Sequence, residues 1–443
     1  MTPHVAVIGG GLSGLTAACE LADAGLRVTV LESRGRLGGA TFSFQRDGLT
    51  VDNGQHVLLR CCTEYQALLR RLGTEDGVDI QRRFRMPILT AAGEVTELAR
   101  TGGPAPLHLA AGLARYGALP PLDRLRVFRA AAALRLLDPA DPRLDEHSFG
   151  DWLARHGQNE ATLRALWNLI SVAALNCEAG EASLALAAMV FRTALLDTAD
   201  AADIGVPRLP LEELHVRPAE KYLLARDADV RTNSPVREIG RDGEAFDLRL
   251  DGERLRADAV VVAVPPEAAA RICPAEAGLS AERVGGLGAA PIVNVHVVYE
   301  RPVTDLPFAA TVDSPVQWIF DRTDVAGLSG GQYLAISLSA AHTWLHTPVS
   351  AMREVFLAEL GRLLPRAATT PHTRFFVTRE RRATFRQRPG TARLRPRPET
   401  PVPGLVLAGS WTATGWPDTM EGAVRSGHRA AELVATGIRG GAA

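Results

Sequence analysis

Val5-Ala6-Val7-Ile8-Gly9-Gly10-Gly11-Leu12-Ser13-Gly14-Leu15 opens the chain, and Leu26-Arg27-Val28-Thr29-Val30-Leu31-Glu32 follows after one amphipathic run. Four apolar residues end at Gly9, so a buried parallel strand runs straight into glycines. Gly9 allows a tight turn, Gly11 lets the backbone approach a pyrophosphate with no Cβ in the way, and Gly14 lets the next helix pack closely on the strand. Phosphates then sit on the helix N-terminus, where unpaired N–H groups and the dipole favour negative charge. Leu15, Ala18, Cys19 and Ala22 keep one apolar helical face, Gly25 stops the helix, and a second strand delivers Glu32. That acid lies eighteen residues after Gly14, the right distance to take a ribose hydroxyl pair.

A lone Gly-x-Gly-x-x-Gly is a weak signal, but here the strand before, the helix after and the acid beyond all accompany it, which predicts dinucleotide binding. Arg34-Gly35-Arg36-Leu37-Gly38-Gly39-Ala40-Thr41-Phe42 continues directly from Glu32. A second glycine pair beside basic residues is expected where the chain runs along a dinucleotide that stays bound, which favours FAD over a nicotinamide cofactor.

At 443 residues the chain is too long for one compact core, and two or three domains are expected. A formal net charge of -1 gives no global pull toward nucleic acid. Cys19, Cys61, Cys62, Cys177 and Cys273 have no Cys-x-x-Cys spacing, so buried free thiols in a reducing cytoplasm are expected rather than disulfides or a metal site. The first strand begins by residue 5, leaving no room for a secretory signal, and no apolar run approaches the ~20 residues of a spanning helix.

The fold class expected is α/β: a discontinuous Rossmann-like FAD-binding domain, a mixed-sheet substrate domain and a helical insertion. Residues 1–84 form the first part of the FAD domain, including Leu49-Thr50-Val51-Asp52-Asn53-Gly54-Gln55-His56, a strand followed by a turn that returns past the flavin ring. Residues 85–217 are rich in Ala, Leu and Arg and are expected to be helical, without strand–helix alternation. Within them, 107–137 carries Arg115, Arg124, Arg126, Arg129 and Arg135 among apolar residues, a pattern suited to a membrane interface or to helices packed on their own domain. Residues 218–285 return to the cofactor sheet, with Ala259-Val260-Val261-Val262 as a central buried strand. Residues 286–395 alternate strands with one helix over about 349–364, and 396–443 make the third return through Leu405-Val406-Leu407-Ala408-Gly409.

Gly-x-Gly-x-x-Gly, Arg-x-Gly-Gly, and Ala408-Gly409-Ser410-Trp411-Thr412 followed by Glu421-Gly422-Ala423 together resemble the amine oxidase and phytoene desaturase superfamily of flavoproteins over essentially the whole chain. More narrowly, Asp52-Asn53-Gly54-Gln55-His56, Gln317-Trp318-Ile319-Phe320-Asp321-Arg322, Arg382-Ala383-Thr384-Phe385 and Ala408 to Pro417 resemble the hydroxysqualene dehydroxylase family of bacterial hopanoid pathways. The resemblance implies reductive removal of an allylic hydroxyl, with reduced FAD as electron donor and a long apolar isoprenoid as substrate. It implies a non-covalent FAD site made of Gly9, Gly11, Ser13, Gly14, Glu32, Ser33, Arg36, Gly38, Gly39, Gly54, Gln55, Val236, Ala263, Gly409, Ser410, Thr419, Met420 and Glu421, with no metal. One departure is visible: the superfamily usually carries Asp, which holds the flavin's ribityl chain, where this chain has Ser410.

Hydroxide is a poor leaving group, so a proton or hydrogen-bond donor must meet it inside an apolar pocket. Asp52 and His56 are the candidates, and Trp416 is a candidate for shielding an allylic cation with its π-face. The rivals are a carotenoid-type desaturase, a flavin amine oxidase, and a non-catalytic scaffold for a squalene-synthase-like partner. The single lysine, Lys221, precedes the central cofactor strand and does not suit the amine oxidase reading. An insoluble triterpene implies peripheral association with the cell membrane, while the physiological reductant is not legible.

Overall fold

The computed structural model describes residues 2–441 of the chain. Its organising sheet has five parallel strands in the order Asp229–Arg231, Arg27–Leu31, His4–Ile8, Ala259–Val262 and Leu405–Leu407. Neighbours in this sheet are distant in sequence: Val7 pairs with both Val30 and Val261, and Val261 with Val406. The three central strands, buried along most of their length, are stable only when both faces are covered. One face packs on the helices Leu12–Asp23 and Met420–Gly441 through Val5, Val7, Leu15, Leu21 and Ala430. The other packs through Ile8, Val260 and Val262 on Phe246 and Leu248 of a small antiparallel sheet.

A seven-stranded sheet forms the second layer, ordered His372–Thr384, Ala290–Tyr299, Gln332–Leu338, Trp318–Asp321, Phe308–Thr311, Arg85–Leu89 and Val95–Ala99. It is mixed, with Phe308–Thr311 parallel to Arg85–Leu89 and the other pairs antiparallel. Side chains alternate across it with the period of a strand. Val293, Val295, Val297 and Tyr299 pack on Met352, Phe356 and Leu360 of the helix Val349–Leu363, while Val298 packs with Val51, Tyr333 and Phe376 on the opposite face. Asn294 and His296 therefore face the cofactor-domain side.

The expectation of an all-helical 85–217 is corrected at its start. Arg85–Leu89 and Val95–Ala99 form a hairpin that completes the substrate sheet, because Met86, Ile88 and Leu98 take inward positions separated by outward ones. The remainder is largely helical, around an aromatic cluster of Phe149, Trp152, Trp167 and Phe191. Among the described residues no helix is long and apolar enough to cross a membrane.

Candidate active site

The glycine turn is closed by contact. A Cβ on Gly14 would lie 2.0 Å from the Gly9 carbonyl oxygen, and one on Gly9 would lie 2.4 Å from that of Ala263. Gly11 differs: the nearest atom to its Cβ position is the Gly39 Cα at 3.7 Å, so its backbone borders open space beside the second glycine pair. No side chain caps the helix Leu12–Asp23, although Leu12, Ser13 and Gly14 are buried. Buried N–H groups with no cap suit an anion, so the residues present fit a dinucleotide pyrophosphate. Glu32 Oε2 accepts the Gly10 N–H at 2.8 Å, and Oε1 accepts from Arg34 N and Ser33 Oγ, which fastens the end of its strand to the turn. Arg36 donates to the carbonyls of Leu37 and Gly39 at 3.3 Å and lies over the Phe42 ring, and Gly38 N donates to Gly10 O. Val236 and Ala263 are half-buried along the same edge.

Asp52 is not free to protonate anything. Its Oδ2 pairs with Arg322 Nη2 at 2.8 Å, and its Oδ1 accepts from Ser43 Oγ at 2.6 Å and Leu211 N at 3.0 Å. Both side chains are buried, and Arg322 also donates to the Pro207 carbonyl. The carboxylate is committed as an acceptor and counter-ion, which corrects its place among the candidate donors.

His56, four residues on, is different. Among the described residues its imidazole makes no hydrogen bond, and the residue is half-buried. Burial lowers its pKa below the ordinary histidine value; Asp52 opposes that shift and Arg322 adds to it. Asn294 Nδ2 holds the Asn53 carbonyl at 3.2 Å, steadying the loop, and Gly54 and Gln55 complete its turn. Behind the loop, His215 lies between Thr41 Oγ1 at 2.9 Å and Tyr65 Oη at 3.0 Å, and burial pushes its pKa down to about 3. His215, Arg322 and Asn294 have no motif to announce them as site residues; their partners come from remote segments.

In the C-terminal segment, the Glu421 side chain is engaged away from any cofactor, which leaves only its backbone for that role. Its carboxylate accepts from Glu64 N and Tyr65 N at the start of the helix Thr63–Leu72 and pairs with Arg425, and it is almost fully buried. It caps a helix instead. Thr419 Oγ1 accepts from Gly422 N, Met420 packs beside Val424, and Ser410 donates to Asp418. The Trp416 ring carries the Arg425 guanidinium 4.4 Å from its centroid, so one π-face is already occupied by a cation. Val57, Leu59, Leu163, Ile170, Trp318 and Trp416 are half-buried apolar side chains packed against the large helical core.

The sequence profile described as "Flavin containing amine oxidoreductase" matches residues 12–435. A hydroxysqualene dehydroxylase of Sinorhizobium fredii is 32% identical, covering 98% of each chain. A zeta-carotene desaturase of Synechocystis sp. is 26% identical, covering 97% of each chain. Among solved structures, an oxidoreductase from Methanosarcina mazei superposes with a TM-score of 0.76 over 97% of this chain and 100% of its own, at 17% identity, a likeness of fold alone. The glycine turn and the two later returns to one sheet are thus those of an FAD-dependent oxidoreductase, and the chain belongs to the flavin-containing amine oxidoreductase family, on its hydroxysqualene dehydroxylase branch.

Proposed function

We propose that the protein reductively dehydroxylates hydroxysqualene to squalene. The observation that carries this reading is the full-length identity to a protein of that name, above the identity to the desaturases. Reduced FAD supplies a hydride. The chain's residues do the rest: the apolar side chains of Val57, Leu59, Ile170 and Trp318 orient a hydrocarbon and exclude water, and His56 as imidazolium delivers a proton to the departing oxygen and is left neutral. One C–O bond breaks, one C–H bond forms, the hydroxyl leaves as water, and a two-electron donor must restore the cofactor. Under anaerobic conditions with FAD and a reductant, squalene is expected by mass spectrometry only when the reductant is present. No squalene from demonstrably bound and reduced flavin would sink this reading in favour of polyprene desaturation.

The apolar substrate also implies a lipid source, and the helix Pro121–Leu134 offers a surface for it. Asp123, Val127, Ala130 and Leu134 face inward, while Leu122, Leu125 and Phe128 point outward on the opposite side, followed by Leu136 just beyond the helix. Leu122, Leu125 and Leu136 are 60%, 57% and 86% exposed, a stripe that costs free energy in water. Arg126 and Arg135 pair with Asp123 and Asp197 and Arg124 donates to the carbonyls of Leu119 and Ala114, whereas Arg115 and Arg129 make no ion pair among the described residues and can meet lipid phosphates at the rim. This stripe docks the protein on the inner face of the cell membrane. Co-sedimentation with vesicles containing phosphatidylglycerol is expected to fall several-fold in a Leu122→Ser/Leu125→Ser/Phe128→Ser variant of unchanged Tm. Equal co-sedimentation of both proteins would exclude the stripe as the docking surface.

A further inference from the structure

The strand Leu405–Leu407 runs into Gly409, whose N–H donates to Ser426 Oγ at 2.8 Å, and so sets Ser410 at the carboxyl edge of the cofactor sheet. Ser410 Oγ donates to Asp418 Oδ1. Asp418 Oδ2 accepts the Phe385 N–H at 2.8 Å, and Asp418 N donates to the buried Gln387 Oε1 at 3.0 Å. The carboxylate is therefore rigidly aimed. Nearby Arg395 does not pair with it; that guanidinium is spent on the carbonyls of Ser410 and Thr412 and the hydroxyl of Thr414. Among the described residues no cation bridges to Asp418. Burial raises its carboxyl above the ordinary range, opposed by the Ser410 and Phe385 hydrogen bonds and by the charge of Arg395. Each carboxylate oxygen accepts one hydrogen bond, from Ser410 and from Phe385 N, and the residue is half-buried, so both oxygens keep capacity for a further donor. A carboxylate left in that state wants donors.

The sheet order says which donors. Glu32 ends the strand on one side of the glycine turn, and Ser410 follows the strand two positions away on the other side. Three strand spacings, about 14 Å, separate the strands that lead to Glu32 and to Ser410. A dinucleotide whose pyrophosphate rests on the glycine turn between them has its adenosine ribose toward Glu32. The hydroxyl-bearing segment on the other side is then the ribityl chain.

We propose that Asp418, steadied by Ser410, binds the ribityl hydroxyls of FAD, so that the Ser410–Asp418 pair does the work of a single acidic side chain placed directly after Gly409. The inference rests on the FAD reading of the site. FAD affinity, by flavin fluorescence on apoprotein, and the visible flavin spectrum test it in wild type, Asp418→Asn, Asp418→Ala and Ser410→Asp/Asp418→Ala. Asp418→Ala is expected to weaken FAD binding about 10- to 100-fold, the range for hydrogen bonds to a charged group. Asp418→Asn is isosteric and is expected to lose most of the same affinity, which keeps the test open if the alanine variant does not fold. The double variant, with its carboxylate moved back to 410, is expected to recover affinity. Wild-type affinity and spectrum in both single variants would overturn the proposal while leaving the cofactor in place. A wild-type protein that takes up no flavin would overturn the cofactor reading and the proposal with it.

Discussion

Arg322→Ala is expected to destabilise the protein by about 3–5 kcal/mol, the cost of leaving one member of a buried ion pair without its partner. The expectation follows from what the guanidinium joins. Its Nη2 meets Asp52 Oδ2 and its Nη1 meets the Pro207 carbonyl, both at 2.8 Å, so one side chain from the substrate sheet holds the end of a cofactor-domain strand and the segment after Ile204. Without it, the Asp52 carboxylate keeps the donors Ser43 Oγ and Leu211 N but loses its counter-charge in a place water does not reach. The neutral pair Asp52→Asn/Arg322→Met should recover most of the loss, because both charges are then gone and the volume stays nearly filled. Urea unfolding with FAD saturating reads both. An Arg322→Ala midpoint equal to wild type would show that water or a rearranged donor replaces the guanidinium. The double variant also separates two roles: turnover surviving in it removes Asp52 from the proton-transfer step by experiment as well as by geometry.

That pair marks where reading from sequence stops. The cofactor sheet was legible because each strand announces itself locally: four apolar residues into Gly9, a valine run from Ala259 to Val262, and Leu405–Leu407 before Gly409. The glycine spacings were legible because each removes a Cβ from a contact that cannot be relieved. The 85–99 hairpin was hidden inside an Ala/Leu/Arg-rich stretch whose composition speaks for helix, and its pairing partner, Phe308–Thr311, lies more than two hundred residues away. Asp52 and Glu421 look like site acids in a motif. Their occupation by Arg322 and by the Thr63–Leu72 helix start depends on segments 270 and 356 residues distant. Asp418 shows the converse: it falls between the Ala408–Pro417 and Glu421–Ala423 motifs, and its meaning depends on Ser410 eight residues before it and on Phe385 just after a strand of the substrate sheet. Side-chain chemistry was readable, whereas the assignment of each polar atom to its partner is a property of the tertiary structure.

His56→Phe is expected to lower kcat by about 10²- to 10⁴-fold while FAD affinity stays unchanged, the range for removing a general acid. The expectation rests on contrast within one loop: Asp52 has every oxygen engaged, and His56 has an imidazole with accessible surface and no hydrogen-bond partner among the described residues. A proton donor works only in its protonated form, and burial holds His56 below the ordinary value of 6.5. In the wild type, kcat should therefore rise as pH falls, about tenfold per unit while the pH is above the group's pKa, and level off at a midpoint below 6.5. His56→Gln should flatten that limb, since an amide can donate a hydrogen bond but does not titrate. Stability runs the other way. A histidine with a depressed folded pKa binds fewer protons in the native state than in the unfolded one, so its contribution is fully present above 6.5 and is lost as pH falls below it. The buried histidines His215 and His296, both pushed down to about 3, add to the same slope. Acid thus speeds the chemical step and weakens the fold together, and activity should fall on the acid side only where the folded fraction begins to drop. Single-turnover rates with pre-reduced flavin isolate the chemical step. A His56→Phe variant turning over at the wild-type rate would dismiss the residue, and a flat wild-type profile with an inactive variant would make His56 a hydrogen-bond donor that never gives up its proton.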